Sequence, residues 1–96
     1  MHILSYPKLK AFWHDHHEAK EPLDSWYRLT SGNDFSNFSE IKQTFGSADK
    51  VDEFTVFDIH GNAYRLITAI HYNRRKVFIR HVLTHRVYDL GKWKKR

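Results

Sequence analysis

The apolar residues of this chain change their period once, near its middle. From Tyr6 to about Ala19, Leu9, Phe12, Trp13 and His16 or His17 recur at helical spacing. Ser5 reads as the N-cap of that helix, and Pro7 suits its first turn. A second helix is expected from about Glu21-Pro22, with Leu23, Trp26, Tyr27 and Leu29-Thr30 on one face. Ser31-Gly32-Asn33 is a strong stop signal for it. Ser39-Glu40-Ile41-Lys42 opens a third, short helical segment that Gly46 ends. Residues 2–4 suit a short opening strand.

Beyond that point the pattern becomes that of a sheet. Phe54–Ile59, Ala63–His71 and Lys76–Thr84 are strand-like runs, joined by the tight connection His60-Gly61-Asn62 and the polar turn Tyr72-Asn73-Arg74-Arg75. Sequential strands with short turns predict an antiparallel meander. In the middle run Leu66 and Ile70 fall on one face, and Ile67 and Ala69 on the other. A strand apolar on both faces is central to its sheet and is covered by helices on at least one side. The expected fold class is α+β, with N-terminal helices packed on a small antiparallel sheet. No repeat or linker divides the chain, so one domain is expected over residues 1–96.

Composition fits that expectation: 41% of the 96 residues are hydrophobic and 16% aromatic, too apolar for a disordered chain. Cysteine is absent, which excludes a disulfide framework or a thiolate metal site. The start, MHILSYPKLK, has no apolar stretch of a signal peptide, and no run has the ~18 apolar residues of a membrane span. A soluble, cytoplasmic protein with no membrane partner is expected.

Charge changes the picture more. Residues 1–59 carry six Lys/Arg against ten Asp/Glu, a net of −4, whereas residues 60–96 carry ten Lys/Arg against Asp89 alone, a net of +9. Lys92, Lys94, Lys95 and Arg96 alone would make an ordinary solvated basic tail. Six more cations lie between Gly61 and Gly91, so the bias reaches into the folded region. Such a concentration attracts a polyanion, and released counterions add to the affinity. A nucleic-acid surface is the preferred reading, with an acidic protein partner as its competitor.

Within these apolar strands the polar residues stand out. Alternation puts Arg65 on the face of Ile67, Ala69 and His71; Arg80 lies in the next strand, with His81 on the face opposite to it. A guanidinium among Val and Ile is costly unless it is paired or presented to a concavity. Pairing with Asp58 across the hairpin is one solution, and a ligand role is the other. The ligand role is preferred, because carboxylates are scarce in this half.

The run Gly61-Asn62-Ala63-Tyr64-Arg65-Leu66-Ile67, then Lys76-Val77-Phe78-Ile79-Arg80, then Thr84-His85-Arg86-Val87-Tyr88-Asp89, resembles the pattern of HigB toxins in the RelE-like superfamily. The resemblance covers essentially the whole chain. It implies a RelE-like fold and a ribosome-dependent mRNA endoribonuclease, the toxin of a type II toxin–antitoxin pair. It further implies metal-free attack of the RNA 2′-hydroxyl on its own phosphodiester, with no cofactor. That chemistry needs a base, a cation for the phosphorane and an acid. By position, Arg65 matches the phosphate-supporting arginine and Tyr88 the C-terminal tyrosine near the reacting base. His85 stands near where RelE carries an arginine, a departure that leaves the base and the acid unassigned. An imidazole titrates near neutrality and suits either role, and a purely structural histidine at a strand end is the competing reading.

On this reading Lys76, Arg80, Arg86, Arg74, Arg75 and Lys92 hold phosphates of mRNA or ribosomal RNA, against the simpler account of ordinary surface charge. The implied partners are mRNA in the ribosomal A site, a helix-turn-helix antitoxin of the HigA type and, through it, operator DNA. His14, His16 and His17 lack the i, i+4 spacing that places two metal ligands on one helical face, so no metal site is assigned. Two other functions compete. One is a non-catalytic RNA-binding module stacking bases on Phe54, Phe57 and Phe78, although strands this apolar are more easily read as core. The other is an inactive toxin retained as a corepressor.

Overall fold

In the computed structural model, which describes residues 1–94, the helices come first and a five-stranded sheet follows. The opening strand β1 (His2–Leu4) leads into α1 (Pro7–Asp15), a 3-10 turn (His17–Ala19), α2 (Lys20–Ser31) and α3 (Phe38–Thr44). The sheet continues with β2 (Asp49–Val51), β3 (Phe54–Ile59), β4 (Tyr64–His71) and β5 (Lys76–Thr84). A short helix, α4 (His85–Asp89), and a 3-10 turn (Lys92–Lys94) follow it.

Local chemistry explains most of these boundaries. Pro7 sits in the first turn of α1, where its missing N–H is no loss. Ser5 is not the cap: it takes a left-handed φ of 71°, and Tyr6 is the residue that precedes the helix. The first helix also stops earlier than its pattern suggested. His16 leaves the helical region and stacks on Phe12 with centroids 4.2 Å apart, so the remaining residues form a separate 3-10 turn. Helix α2 ends at Gly32, as the stop signal required. Asn37 caps α3 by accepting from the Glu40 N–H at 3.0 Å, while the Glu40 carboxylate accepts from Ser36 N–H.

The strand order is β1-β5-β4-β3-β2. The meander β3–β4–β5 is antiparallel as expected, with β4 at its centre, but β1 lies parallel to β5 and makes the sheet mixed. A parallel neighbour needs a long crossover, and here the helices and the meander supply it. Strand β2 was not anticipated. Asp49 and Lys50 are exposed on an edge, where alternation leaves no apolar signal.

The two faces of the sheet differ. One packs on α1–α3 and holds the larger core, including Leu9, Leu23, Trp26, Phe57, Leu66 and Val77. Burying each such side chain contributes about 1.5–3 kcal/mol. The other face carries a smaller cluster of Phe54, Val56, Ile67 and Trp93, with Val51, Leu83 and Tyr88 partly buried against it. Leu66 and Ile70 face the helices and Ile67 faces away, as their spacing implied. Between Ile67 and Thr68 the β4–β5 register slips: Ile67 pairs with His81 and Thr68 with Ile79, leaving Arg80 as an extra, bulged residue. The simple alternation that set His81 opposite Arg80 therefore does not hold there.

Candidate active site

The site is built on the sheet face turned away from the large helices. Asp58 and Arg65 are direct cross-strand partners in the β3–β4 hairpin, so both side chains emerge on the same face. Arg65 Nε lies 3.2 Å from Asp58 Oδ1, and the two side chains are only 12% and 28% exposed. Arg65 Nη1 donates to the carbonyls of Asn62 at 2.9 Å and Tyr64 at 3.2 Å. The hairpin thus anchors one side of the guanidinium. Among the described residues, Nη2 has no hydrogen-bond partner.

Helix α4 brings the remaining groups to this place. Thr84 is its N-cap, accepting from the Val87 N–H at 3.3 Å, and His85 N–H donates to the Ala63 carbonyl at 3.0 Å. That second bond ties the first turn of α4 to the strand that carries Arg65. His85 and Tyr88 are three residues apart and therefore neighbours on the helix surface. The Tyr88 ring lies under the Arg65 guanidinium, 5.4 Å from its carbon to the ring centroid. His85 Nε2 is 3.1 Å from Asp89 Oδ2, one turn on.

The surroundings of Tyr88 set its protonation. Partial burial raises the Tyr88 pKa above the ordinary value of 10.0, the Asp49 carboxylate adds to the rise, and Arg65 opposes it. Tyr88 is therefore a neutral phenol at physiological pH, a hydrogen-bond donor and potential acid. An imidazole that carries its proton on Nε2 has Nδ1 as its acceptor, and Asp89 Oδ2 lies 3.1 Å from His85 Nε2. A fixed cation, a phenol and a carboxylate-oriented imidazole occupy one corner of the molecule.

The other basic residues named from the sequence do not all gather there. Arg86 is exposed on α4 itself, and Lys92 is exposed on the turn that follows it. Arg80 projects from the bulge at the β5 edge, where Lys8 Nζ donates to its carbonyl at 3.2 Å. Arg74, Arg75 and Lys76 lie at the opposite end of β4, where His71 pairs with Lys76. His71 is six positions along the strand from Arg65, a span of about 20 Å. Arg75 is also engaged, its Nη1 being 3.6 Å from Asp34 Oδ2.

Three participants were missed or undervalued in the sequence. Asp58 figured there only as a competing structural partner, yet it anchors Arg65. Asp89 entered the sequence reading as a motif residue and not as the partner of His85, although its i+4 spacing was a visible signal. Trp93 stands among lysines in what reads as a basic tail, and it stacks on Tyr88. The suggested aromatic platform does not exist as such, because Phe54 and Phe57 are buried on opposite faces of the sheet. Among the described residues, no cluster of three or more His, Asp or Glu side chains is placed to hold a metal ion, and no helix is long and apolar enough to cross a membrane.

Comparison with known proteins places the chain in a family. Residues 19–91 match the HigB toxin family, described as the RelE-like toxic component of a toxin–antitoxin system. An mRNA interferase HigB of Escherichia coli O6:H1 is 28% identical over 92 residues, covering 93% of this chain and 89% of that protein. The mRNA interferase toxin HigB of Escherichia coli K12 is 27% identical over 92 residues, covering 93% of this chain and 88% of that protein. A Shigella flexneri mRNA interferase HigB is likewise 27% identical over the same length. The matched region runs from the start of α2 through β2–β5 to α4, and so includes Arg65, His85 and Tyr88. The chain belongs to the HigB family of RelE-like toxins, the toxic components of toxin–antitoxin systems.

Proposed function

We propose that this mRNA-cleaving toxin acts on messages engaged by the ribosome, at the A site, through metal-independent attack of a 2′-hydroxyl on the adjacent phosphodiester. The new bond joins the 2′ oxygen to phosphorus, and the bond from phosphorus to the 5′ oxygen breaks. The products are a 2′,3′-cyclic phosphate and a 5′-hydroxyl. His85 takes the 2′ proton on Nδ1, with Asp89 orienting the imidazole through Nε2. Arg65 stabilises the charge that develops on the phosphorane, with Nη2 directed to a phosphate oxygen. Tyr88 donates its phenolic proton to the departing 5′ oxygen, a role suited to a phenol kept protonated by partial burial.

The observation that carries this reading is the guanidinium fixed over the Tyr88 ring, beside the His85–Asp89 pair on the same short helix. An imidazole and a phenol on one short helix supply the two kinds of group that proton transfer to and from the RNA requires. The residues 60–96 with their net charge of +9 supply the attraction for mRNA and ribosomal RNA. Family membership implies an antitoxin partner; the form proposed for it is a helix-turn-helix protein of the HigA type, which links the toxin indirectly to operator DNA.

Primer extension on a translated message and on the same message with its start codon removed tests the assignment. Cuts are expected only in the translated message, and they should disappear in Arg65→Ala. Equal cutting of both messages would refute ribosome dependence. Absence of any cutting by the folded wild-type protein would favour the corepressor function instead.

A further inference from the structure

We infer that Trp93 is a positioning residue of this active site, holding the Tyr88 ring in the orientation that reaction requires. The inference rests on the placement of Tyr88 in the site proposed above.

The segment after α4 is built to return over the sheet. Gly91 takes a φ of +73°, a conformation that L side chains rarely adopt, and its N–H donates to the Tyr88 carbonyl at 3.0 Å. The chain then forms a single 3-10 turn in which Lys92 and Lys94 are exposed while Trp93 between them is 8% exposed. A tryptophan buried among solvated lysines is placed by specific contacts, and here two of them fall on one residue. The Trp93 indole lies nearly parallel to the Tyr88 ring, with centroids 5.1 Å apart and planes at 16°. Trp93 Nε1 donates to the Tyr88 carbonyl at 2.9 Å, so the indole grips the backbone as well as the ring. Beneath, Phe54 meets the indole edge-on at 5.7 Å and fixes it to the start of β3.

Tyr88 is therefore flanked by Arg65 and Trp93, one a cation fixed by the hairpin and the other an aromatic fixed by the sheet. The ring plane determines where the phenolic oxygen lies relative to the phosphate that Arg65 addresses. The same indole helps to exclude water from Tyr88, and so contributes to the partial burial that keeps the phenol protonated. Without Trp93 the ring gains freedom about both its torsions, and its hydroxyl gains solvent.

Two substitutions separate positioning from simple core filling. Trp93→Leu keeps an apolar side chain over Phe54 and Ile67 but removes both the stack and the N–H bond. Trp93→Phe keeps a ring and removes only the N–H bond. Cleavage is measured on stalled ribosome–mRNA complexes, as the first-order rate at saturating toxin and the half-saturating toxin concentration. Trp93→Leu is expected to lower the saturated rate by about tenfold or more, the scale of a small misplacement of a reacting group. Trp93→Phe is expected to lower it about threefold, and the half-saturating concentration should stay within twofold in both, since uniform binding is untouched.

The independent reading is spectrophotometric titration of Tyr88, taken in each background as the difference from the corresponding Tyr88→Phe protein. Trp93→Leu should move that titration down towards an ordinary tyrosine, a change that loss of stability alone would not produce in protein shown to be folded. Should Trp93→Leu fail to fold, Trp93→Phe carries the rate test by itself. Parental saturated rates in the folded variants, with an unmoved Tyr88 titration, would overturn the inference. If Tyr88→Phe itself cleaves like the parent, the proposed role of Tyr88 fails, whereas the titration still reports whether Trp93 governs its surroundings.

Discussion

Substitution of Asp58 by Asn tests whether Arg65 is a catalytic cation or half of a structural pair. The change preserves shape and removes one charge. At 3.2 Å and an effective dielectric of ~20, the direct attraction is about 5 kcal/mol. Desolvation of both groups offsets much of it. Asp58 is 28% exposed, so water reaches the pair and reduces the net cost further. We expect about 2 kcal/mol of lost stability, which for a domain of this size lowers the thermal midpoint by roughly 8–16 °C. Arg65→Ala should cost a similar amount, plus about 0.5–1 kcal/mol for its contact over the Tyr88 ring. Because the two residues touch, the double variant should be little worse than either single one in stability. Cleavage should not follow that pattern. With Asp58→Asn, the Asn62 and Tyr64 carbonyls still hold Nη1, and the rate should stay within about tenfold of the parent. Arg65→Ala removes the cation and should lower the rate about 10²–10³-fold, and the double variant should be as slow. Circular dichroism melts give the stabilities, and ribosome-dependent cleavage is measured well below the lowest midpoint. Equal rate losses in Asp58→Asn and Arg65→Ala, at matched fractions folded, would refute a catalytic role for Arg65.

Three further outcomes follow from the same geometry. His85→Ala should reduce cleavage roughly 10²–10⁴-fold and flatten the limb of the pH–rate profile on which the base deprotonates; Asp89→Asn should give a smaller loss, and an unchanged profile in His85→Ala would remove His85 from the chemistry. Neutral replacement of Arg74, Arg75 and Lys76 together should weaken ribosome engagement and shallow its salt dependence while leaving the saturated cleavage rate intact, because these residues lie at the far end of β4; a collapse of the saturated rate would contradict that separation. Partial burial, with Lys8 and Arg80 adding to it, lowers the His81 pKa below 6.5, so the folded protein binds fewer protons than the unfolded chain in that window. Stability from this group is present above pH 6.5 and lost as pH falls through the folded value, and His81→Gln should flatten the acid side of a midpoint-versus-pH curve, which an unchanged slope would exclude.

The parts of this molecule that the sequence displays are those with a regular period and a buried face. The meander was visible because Phe54–Ile59, the middle run and Lys76–Thr84 alternate or run apolar, and the helices because their apolar faces recur. Strand β2 was hidden because Asp49 and Lys50 face solvent, and its existence depends on pairing with β3 rather than on its own residues. The parallel pairing of β1 is equally non-local. At the site, the pairing of Asp58 with Arg65 across the hairpin was legible as a possibility, whereas Thr84–Asp89 stood out as a motif and the helix it forms was not anticipated. The grouping of the basic residues was not legible, since charge counts carry no distances: Arg86 lies near the site and Arg75 far from it. The bulge at Arg80 has no signature in the residues themselves, and Trp93 was obscured by the lysines on either side.

The pairing of β1 with β5 sets an order of events during synthesis. His2 opposes Lys76 and Leu4 opposes Phe78, so the earliest strand waits for one of the latest. Closing a loop of that length costs on the order of 4 kcal/mol in chain entropy, with no reward until the two strands meet. A growing chain that has emerged only through β4 holds Arg65 but has no partner for β1 and no α4 to bring Tyr88 over the guanidinium. Such a high-contact-order arrangement delays completion of the fold until nearly the whole chain is free. Completion of the proposed site is thus tied to completion of the sheet: a chain that stops short of β5 carries the guanidinium without the helix that sets a ring beneath it.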